Sequence, residues 1–400
     1  MNINFAVIAP KGLSRSYGKK FIGGIARRQS KTKPQSEVIP ECFYRGSRFP
    51  IKAFGNDTSC QIATPRFAGL AMTVFLFLFL FQSASPILAA EQKIRVGHFP
   101  NVTHAPALIA RTTSHFEKAF GSEVKIEWKT FNAGPEAVEA LFASELDLLY
   151  VGPNPAVNGF IRSKGEALQI IAGVASGGAA FLVRNDAGIE RFEDIKGKRV
   201  SAPQKGNTQD VALQHLMKEK GLAPKNKGGD VEIFHIGGGD QITALSRAQV
   251  DGIWTVEPWV SRLVSEANGK VLFEEKDLWP NGAYATTVLV ASKKFLDTNP
   301  EAVQKWIDGH VEITKYLNEN LREAKAMFNK ELQFETGKAL PDAYLDQSFE
   351  RIQFTADPME SSVQESAKRA ADIGYLGKNN ADLNGLYDLT FLNQANHDKQ

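Results

Sequence analysis

Cysteine is nearly missing from this 400-residue chain: Cys42 and Cys60 are the only two. Residues 91–400 therefore contain no disulfide, thiolate nucleophile, cysteine-type zinc site or iron–sulfur cluster. Long apolar runs are equally scarce. Residues 67–81, FAGLAMTVFLFLFLF, form a run suited to the core of a signal peptide, but short of the about 20 residues a membrane span needs. No Lys/Arg-rich run follows residue 91, and no GxxxxGK[ST], HExxH or GxSxG motif occurs there. The triple glycine Gly237–Gly239 does not fit GxGxxG. Nucleotide binding, zinc-protease chemistry and serine-hydrolase chemistry thus have no motif behind them. What is present is ordinary: 43% hydrophobic and 23% charged residues. That composition excludes collagen, a disordered tail protein and a polytopic membrane protein.

The net charge of +2 hides an asymmetry. Residues 1–90 hold 12 Lys/Arg against Glu37, Glu41 and Asp57, a surplus of +9, which leaves −7 for residues 91–400. A mature region of that sign argues against a nucleic-acid partner. Arg66 precedes the apolar run, and QSASPILAA follows it, ending in small residues at Ala90. This is the layout of an export signal cleaved after Ala90, with residues 67–90 as its core and cleavage region. Left uncleaved, the same run would anchor the protein. Residues 1–66 are a basic extension longer than such signals carry. A start codon set too early, a genuine extension or an Arg-rich transit segment would each account for it. Arg27–Arg28 has no apolar run close behind it.

Beyond Ala90 the pattern alternates. Strands are expected at Ile94–Phe99, Val124–Phe131, Leu146–Val151, Gln169–Val174, Phe181–Val183, Arg199–Ala202, Val231–Ile236, Gly252–Thr255, Val271–Phe273 and Thr286–Ala291. Helices fall between them, at Pro106–Phe120, Gly134–Ser144, Asp210–Lys220, Gln241–Arg247 and Val260–Ala267. From Pro300 the periodicity is helical, over 300–330, 341–353 and 359–373. This predicts an α/β fold with mixed, mostly parallel sheets flanked by helices, and a helical C-terminal region. Two stretches repeat one plan. FNAGPEAVEALFASELDLLYV (131–151) and FHIGGGDQITALSRAQVDGIWT (234–255) align Phe131 with Phe234, Gly134 with Gly237 and Asp147 with Asp251. Two lobes of shared topology are expected.

Ligands of open α/β sheets bind at the carboxyl ends of strands. Five loops there combine small residues with helix starts: His98–Pro106, Gly152–Pro155, Ser176–Ala180, Gln204–Asp210 and Trp254–Trp259. Small residues let backbone approach a ligand, and helix starts present unpaired N–H groups to an anion. Thr103 or His104 suits one helix cap, and Asn154 followed by Pro155 suits another. Trp254, Trp259, Phe99 and Phe181 are candidates to wall an apolar part.

These loops resemble a known family, the periplasmic solute-binding components of ABC importers of the nitrate/sulfonate/taurine type. The resemblance runs over about residues 92–375 and rests on Arg95–Pro106, DLLYVGPNP (147–155), SGGAAFLV (176–183), IKGKRVSAPQKGNTQDVAL (195–213) and WTVEPWVSR (254–262). It is strongest toward the aliphatic-sulfonate branch. The resemblance implies a type II periplasmic-binding-protein fold that closes on ligand. Lobe 1 would comprise residues 91–180 plus 284–400, and lobe 2 residues 181–283. It implies ligand contacts from Asn101, Thr103 and His104; Gly152, Pro153 and Asn154; Ser176 and Gly177; Asn207, Thr208 and Gln209; and Trp254 and Glu257. Ser176, Asn207 and Thr208 are the strongest candidates among them.

Plainer readings compete at several positions. His98 and His104 lie six apart without a carboxylate pair, so no metal site is expected. Glu257 would repel an anion but could pair with the ammonium of taurine. Accepting backbone bonds or meeting Arg262 is the commoner role of such a carboxylate. The reading is a periplasmic, monomeric binding protein without catalysis or cofactor. It would capture a small organic anion, foremost an aliphatic sulfonate, for an inner-membrane ABC permease. Taurine, nitrate, bicarbonate and a thiamine pyrimidine precursor are alternative ligands. An enzyme on the same fold is a further alternative, weakened by the missing cysteines.

Overall fold

A computed structural model describes residues 92–377 and 382–397. The chain divides into two units, Met1–Ser85 and Pro86–Gln400, and all described residues belong to the second. The expected signal-peptide core and basic extension lie outside the described residues. Among those described, no helix is long and apolar enough to cross a membrane.

The elements alternate as the pattern implied. In chain order they are β1 (Gln92–His98), α1 (Ala105–Thr113), α2 (His115–Phe120), β2 (Val124–Thr130), α3 (Gly134–Phe142), β3 (Leu148–Val151), α4 (Pro153–Arg162), β4 (Leu168–Gly177) and β5 (Ala179–Arg184). Next come β6 (Arg199–Ala202), α5 (Thr208–Glu219), β7 (Glu232–His235), α6 (Asp240–Ser246), β8 (Gly252–Val256), α7 (Trp259–Glu266) and β9 (Gly269–Glu274). The chain ends with β10 (Ala285–Ser292), α8 (Lys293–Thr298), α9 (Pro300–Glu319), α10 (Leu321–Thr336), α11 (Asp342–Glu350), β11 (Ile352–Phe354), α12 (Glu360–Asp372) and α13 (Thr390–His397).

Two expected helices are broken in two. Ser114 takes a left-handed backbone between α1 and α2, and Asn320 leaves helical geometry between α9 and α10. The expected helix 341–353 stops at Glu350 and gives way to β11.

The strands form two mixed sheets. The first has the order β11–β4–β10–β3–β1–β2 and the second β9–β5–β8–β6–β7. From the β10 or β5 position outward the two orders correspond: β3, β1, β2 in one and β8, β6, β7 in the other. The β1–β2, β1–β3, β6–β7 and β6–β8 pairs are parallel. β10 runs against β3 and β4, β11 against β4, and β5 against β8 and β9, so antiparallel pairing is more extensive than expected. The cause is connectivity: β5 and β10 follow the two passages of chain from one sheet to the other and enter from the opposite end.

The repeated aspartates anchor both halves alike. Asp147 accepts from the backbone N–H and the guanidinium of Arg95. Asp251 does the same for Arg199, also 52 residues earlier. In each case the guanidinium also reaches a carbonyl of the preceding turn, at Ser144 or Ala248. Both turn residues take a positive φ. The device ties a parallel strand pair at its entry, where ladder bonds run out.

Apolar side chains pack on both faces of each sheet, which is why the strands read as continuous runs rather than alternating ones. The first sheet is covered on one face by Phe116, Trp306 and Phe328, and on the other by Val138, Val157 and Val363. One buried histidine of this core has partners on both ring nitrogens. His310 donates Nε2–H to Gly173 O at 2.8 Å and faces Tyr150 OH through Nδ1 at 3.4 Å. Burial pushes its pKa down to about 4.

The folded chain thus keeps His310 neutral, while the unfolded chain protonates it below about pH 6.5. Stability should fall as pH drops from 6.5 toward 4, with this group accounting for about 3 kcal/mol at the lower end. His310→Gln, which keeps a donor for Gly173 O, should flatten that part of the acid limb in thermal unfolding. An unchanged slope in the variant would contradict the assignment.

Candidate functional site

The strand-end loops converge on a cavity of about 50 Å³ between residues of the two sheets. Seven of the expected residues line it: Asn101, Thr103, His104, Gly152, Asn207, Thr208 and Gln209. Each comes from an element start. Val102–His104 is a single 3₁₀ turn with Asn101 as its cap, and His104 in turn caps α1, followed by Pro106 in the first turn. Gly152 caps α4, whose first residue is Pro153. Asn207 caps α5, so Thr208 and Gln209 are its first residues. None of these caps uses a side-chain hydrogen bond. The helix starts therefore keep backbone donors that their own caps do not occupy.

The starts of α4 and α5 meet. A Cβ built on Gly152 would stand 2.4 Å from Thr208 Oγ1, so only glycine permits the approach. Thr208 Oγ1 is itself buried without a hydrogen-bond partner. Such a group is costly to bury unless a bound group satisfies it. Other hydroxyls and amides are tied to one another. Thr287 donates to Thr103 at 3.0 Å, Thr103 donates to Asn101 at 2.8 Å, and Asn207 donates to Gln209 at 3.2 Å. His104 is fully buried, and burial with the neighbouring His98 holds its pKa well below 6.5. Its Nδ1 accepts from Phe99 N–H at 3.3 Å. The neutral ring then carries its proton on Nε2.

Phe99 and Trp259 supply the apolar walls. Phe99 lies 4.5 Å from the His104 ring. Arg262 lies over Trp259 at 5.1 Å and is pinned by Glu266.

Six expected contacts are placed elsewhere. Trp254 is fully buried among Phe181, Phe192 and Phe273, and donates to Glu275 Oε2 at 2.7 Å. Strand alternation is the reason: Thr255, not Trp254, points to the cavity from β8. Phe181 belongs to the same aromatic cluster and does not line this cavity. Ser176 Oγ accepts from Tyr284 N–H at 3.3 Å. Gly177 offers its carbonyl to Thr286 Oγ1 at 2.6 Å. Pro153 is buried in the first turn of α4, and Asn154, one residue inside, donates to Ser366 O at 3.1 Å instead of capping the helix. Glu257 is fully buried facing the C-terminal helices. One oxygen takes Ser261 Oγ and Arg351 Nη1, and the other takes Ser261 N and Ser348 Oγ, at 2.8–3.0 Å. Its cation is Arg351 rather than Arg262. His98 meets Glu335 at 2.6 Å.

Asn132, Pro203, Gly238, Thr255, Val256, Thr286 and Thr287 also line the cavity and are not among the expected contacts. Adjacent threonines in an otherwise apolar buried strand, Thr286–Thr287, were the available signal. A larger cleft of about 760 Å³ lies elsewhere, between the stems of Arg162, Lys205, Lys225 and Lys227. Of the expected loops only Lys205 reaches it.

Burial alone raises the Glu257 pKa, against the pull of Ser261 and Arg351. Arg351→Met should therefore strand a buried carboxylate and cost about 3 kcal/mol in urea unfolding. Adding Glu257→Gln should recover part of the loss. Equal stability of Arg351→Met and the parent chain would refute this role.

Comparisons with known proteins agree on the architecture. The taurine-binding periplasmic protein of Escherichia coli (strain K12) is 28% identical over 199 residues, 50% of this chain and 59% of that protein. A protein of the same organism described as aliphatic sulfonates-binding is 25% identical over 274 residues, 67% of this chain and 79% of its own. The chain thus spans little more than half the length of the first relative. Among solved structures, the alkanesulfonate-binding protein SsuA from Xanthomonas axonopodis pv. citri, bound to MOPS, superposes with a TM-score of 0.60. It is 22% identical and covers 72% of this chain and 94% of its own, which establishes the shared periplasmic-binding-protein fold. Residues 89–329 match the NMT1-like family, and the chain belongs to that family.

Proposed function

We propose that the chain is an exported binding protein without catalysis, which captures an aliphatic sulfonate and delivers it to an ABC permease in the inner membrane. The observation that carries this reading is the cavity lined by element starts and neutral donors. A sulfonate oxygen can accept from backbone N–H groups at the starts of α4 and α5, from Thr208 and from His104 Nε2–H. Phe99 and Trp259 give the organic part an apolar surface. The relatives named for taurine and aliphatic sulfonates support the same ligand class.

The mechanism is an equilibrium between open and closed arrangements of two lobes, 91–180 plus 284–400 and 181–283. Loops from both meet at the cavity, so an anion held there contacts both and favours closure by its differential contacts. The small cavity volume favours one second reading, capture of a compact oxyanion such as nitrate.

A thermal-shift series separates the two. Ligand bound to the native state stabilises by RT ln(1+[L]/Kd). Alkanesulfonates should raise Tm, with little response to nitrate or bicarbonate. A flat response to every sulfonate beside a clear shift with nitrate would reverse the assignment. Asn207→Ala and Thr208→Val should each weaken sulfonate binding by about 1–3 kcal/mol. Unchanged affinity in both variants would place the anion elsewhere.

A further inference from the structure

We infer that the cavity takes a short monoanion without a cationic group, a one- or two-carbon sulfonate rather than an aminosulfonate. This rests on the sulfonate reading above and narrows it. It also parts the chain from the relative named for taurine.

The first observation is the lining itself. Phe99, Asn101, Thr103, His104, Thr208 and Trp259 are typical of it, and none of its described residues is Asp, Glu, Lys or Arg. An ammonium entering this space would give up its hydration and meet no carboxylate, which is among the most unfavourable burials a protein can impose. A single diffuse negative charge is different, because aligned backbone dipoles and neutral donors stabilise it without a counter-ion.

The second observation concerns the two carboxylates that directly follow lining residues in the chain. Glu257 stands at the end of β8 beside Val256, which lines the cavity. Both of its oxygens are engaged, by Ser261, Ser348 and Arg351. Asp210, one residue beyond Gln209, accepts from Gly206 N, Gln214 and His235. Neither can turn toward a ligand without abandoning a buried hydrogen-bond set.

The third observation is His104. With Nδ1 occupied by Phe99 N–H, the ring has an Nε2–H donor left to offer. A donor suits an anion and opposes an ammonium. Size adds a fourth limit. At roughly 10–15 Å³ per water-sized group, about 50 Å³ of free space holds only a few such groups, which favours a compact head on a short chain over a long one.

Calorimetric titration of the full chain with ethanesulfonate and taurine, which differ only in the terminal amine, tests this directly. Ethanesulfonate should bind at least about 100-fold more tightly than taurine, and octanesulfonate should also bind more weakly than ethanesulfonate. Taurine binding as tightly as ethanesulfonate would overturn the inference and leave sulfonate capture standing. Binding of nitrate with no binding of any sulfonate would overturn both. Asn101→Asp provides an internal control, since Asn101 Oδ1 already accepts from Thr103 and a carboxylate keeps that bond. It should narrow the preference for ethanesulfonate over taurine by about tenfold. An unchanged preference would place the amine outside the cavity and overturn the inference.

Discussion

One buried carboxylate holds together most of what surrounds the cavity. Glu257 donates its backbone N–H to Gly178 O and accepts from Val102 N at its own carbonyl. Its side chain gathers Ser261 from α7 and Ser348 and Arg351 from α11 and its end. The passage between sheets, the turn that presents Asn101 and Thr103, and the C-terminal helices thus share one residue. The carboxylate is out of water, so four short donor contacts and the Arg351 charge offset a large desolvation cost. Arg351 extends the tie to Glu274 at the end of β9. The passage beside it needs glycine: Gly177 and Gly178 both have φ near +80°. A Cβ on Gly177 would also stand 2.5 Å from Arg351 O.

Much of the fold was legible because the chain states its plan twice. The matching aspartates Asp147 and Asp251, each in a strand–helix–strand stretch, marked equivalent strand entries, and both proved to grip an arginine 52 residues upstream. β6 was placed at its observed bounds from Arg199–Ala202 alone. Strand direction was less legible. Nothing in the buried run Ala285–Ser292 distinguishes a strand that enters from the opposite end, because both faces of the sheet are covered and the residue pattern is the same either way. Ile352 and Gln353 of β11 fall within the expected helix 341–353, because so short a strand carries too little periodicity to register.

For the cavity, the loops were legible and the individual side chains less so. Asn101, Thr103, His104, Gly152, Asn207, Thr208 and Gln209 came together because they begin elements, and an element start shows in sequence through proline, glycine and cap residues. Trp254 and Ser176 went elsewhere because a strand residue's face depends on pleat register, which one residue of error reverses. Trp259, one of the aromatic candidates, reached the cavity from the first residue of α7. Thr286 and Thr287 were hidden inside a run that read as core.

The position of β10 has a consequence for how the chain is made. It lies between β3 and β4 in the first sheet, yet it is synthesised after every strand of the second. The second sheet is continuous in sequence from Ala179 to Glu274, so its pairings close within one stretch of chain. The first sheet must wait with a gap at its centre, its two early parts unable to pair across the missing strand, until residues 285–292 emerge. Long-range pairings of this kind form late. The order of maturation is therefore the reverse of the order of translation: the sheet begun first is the one completed last.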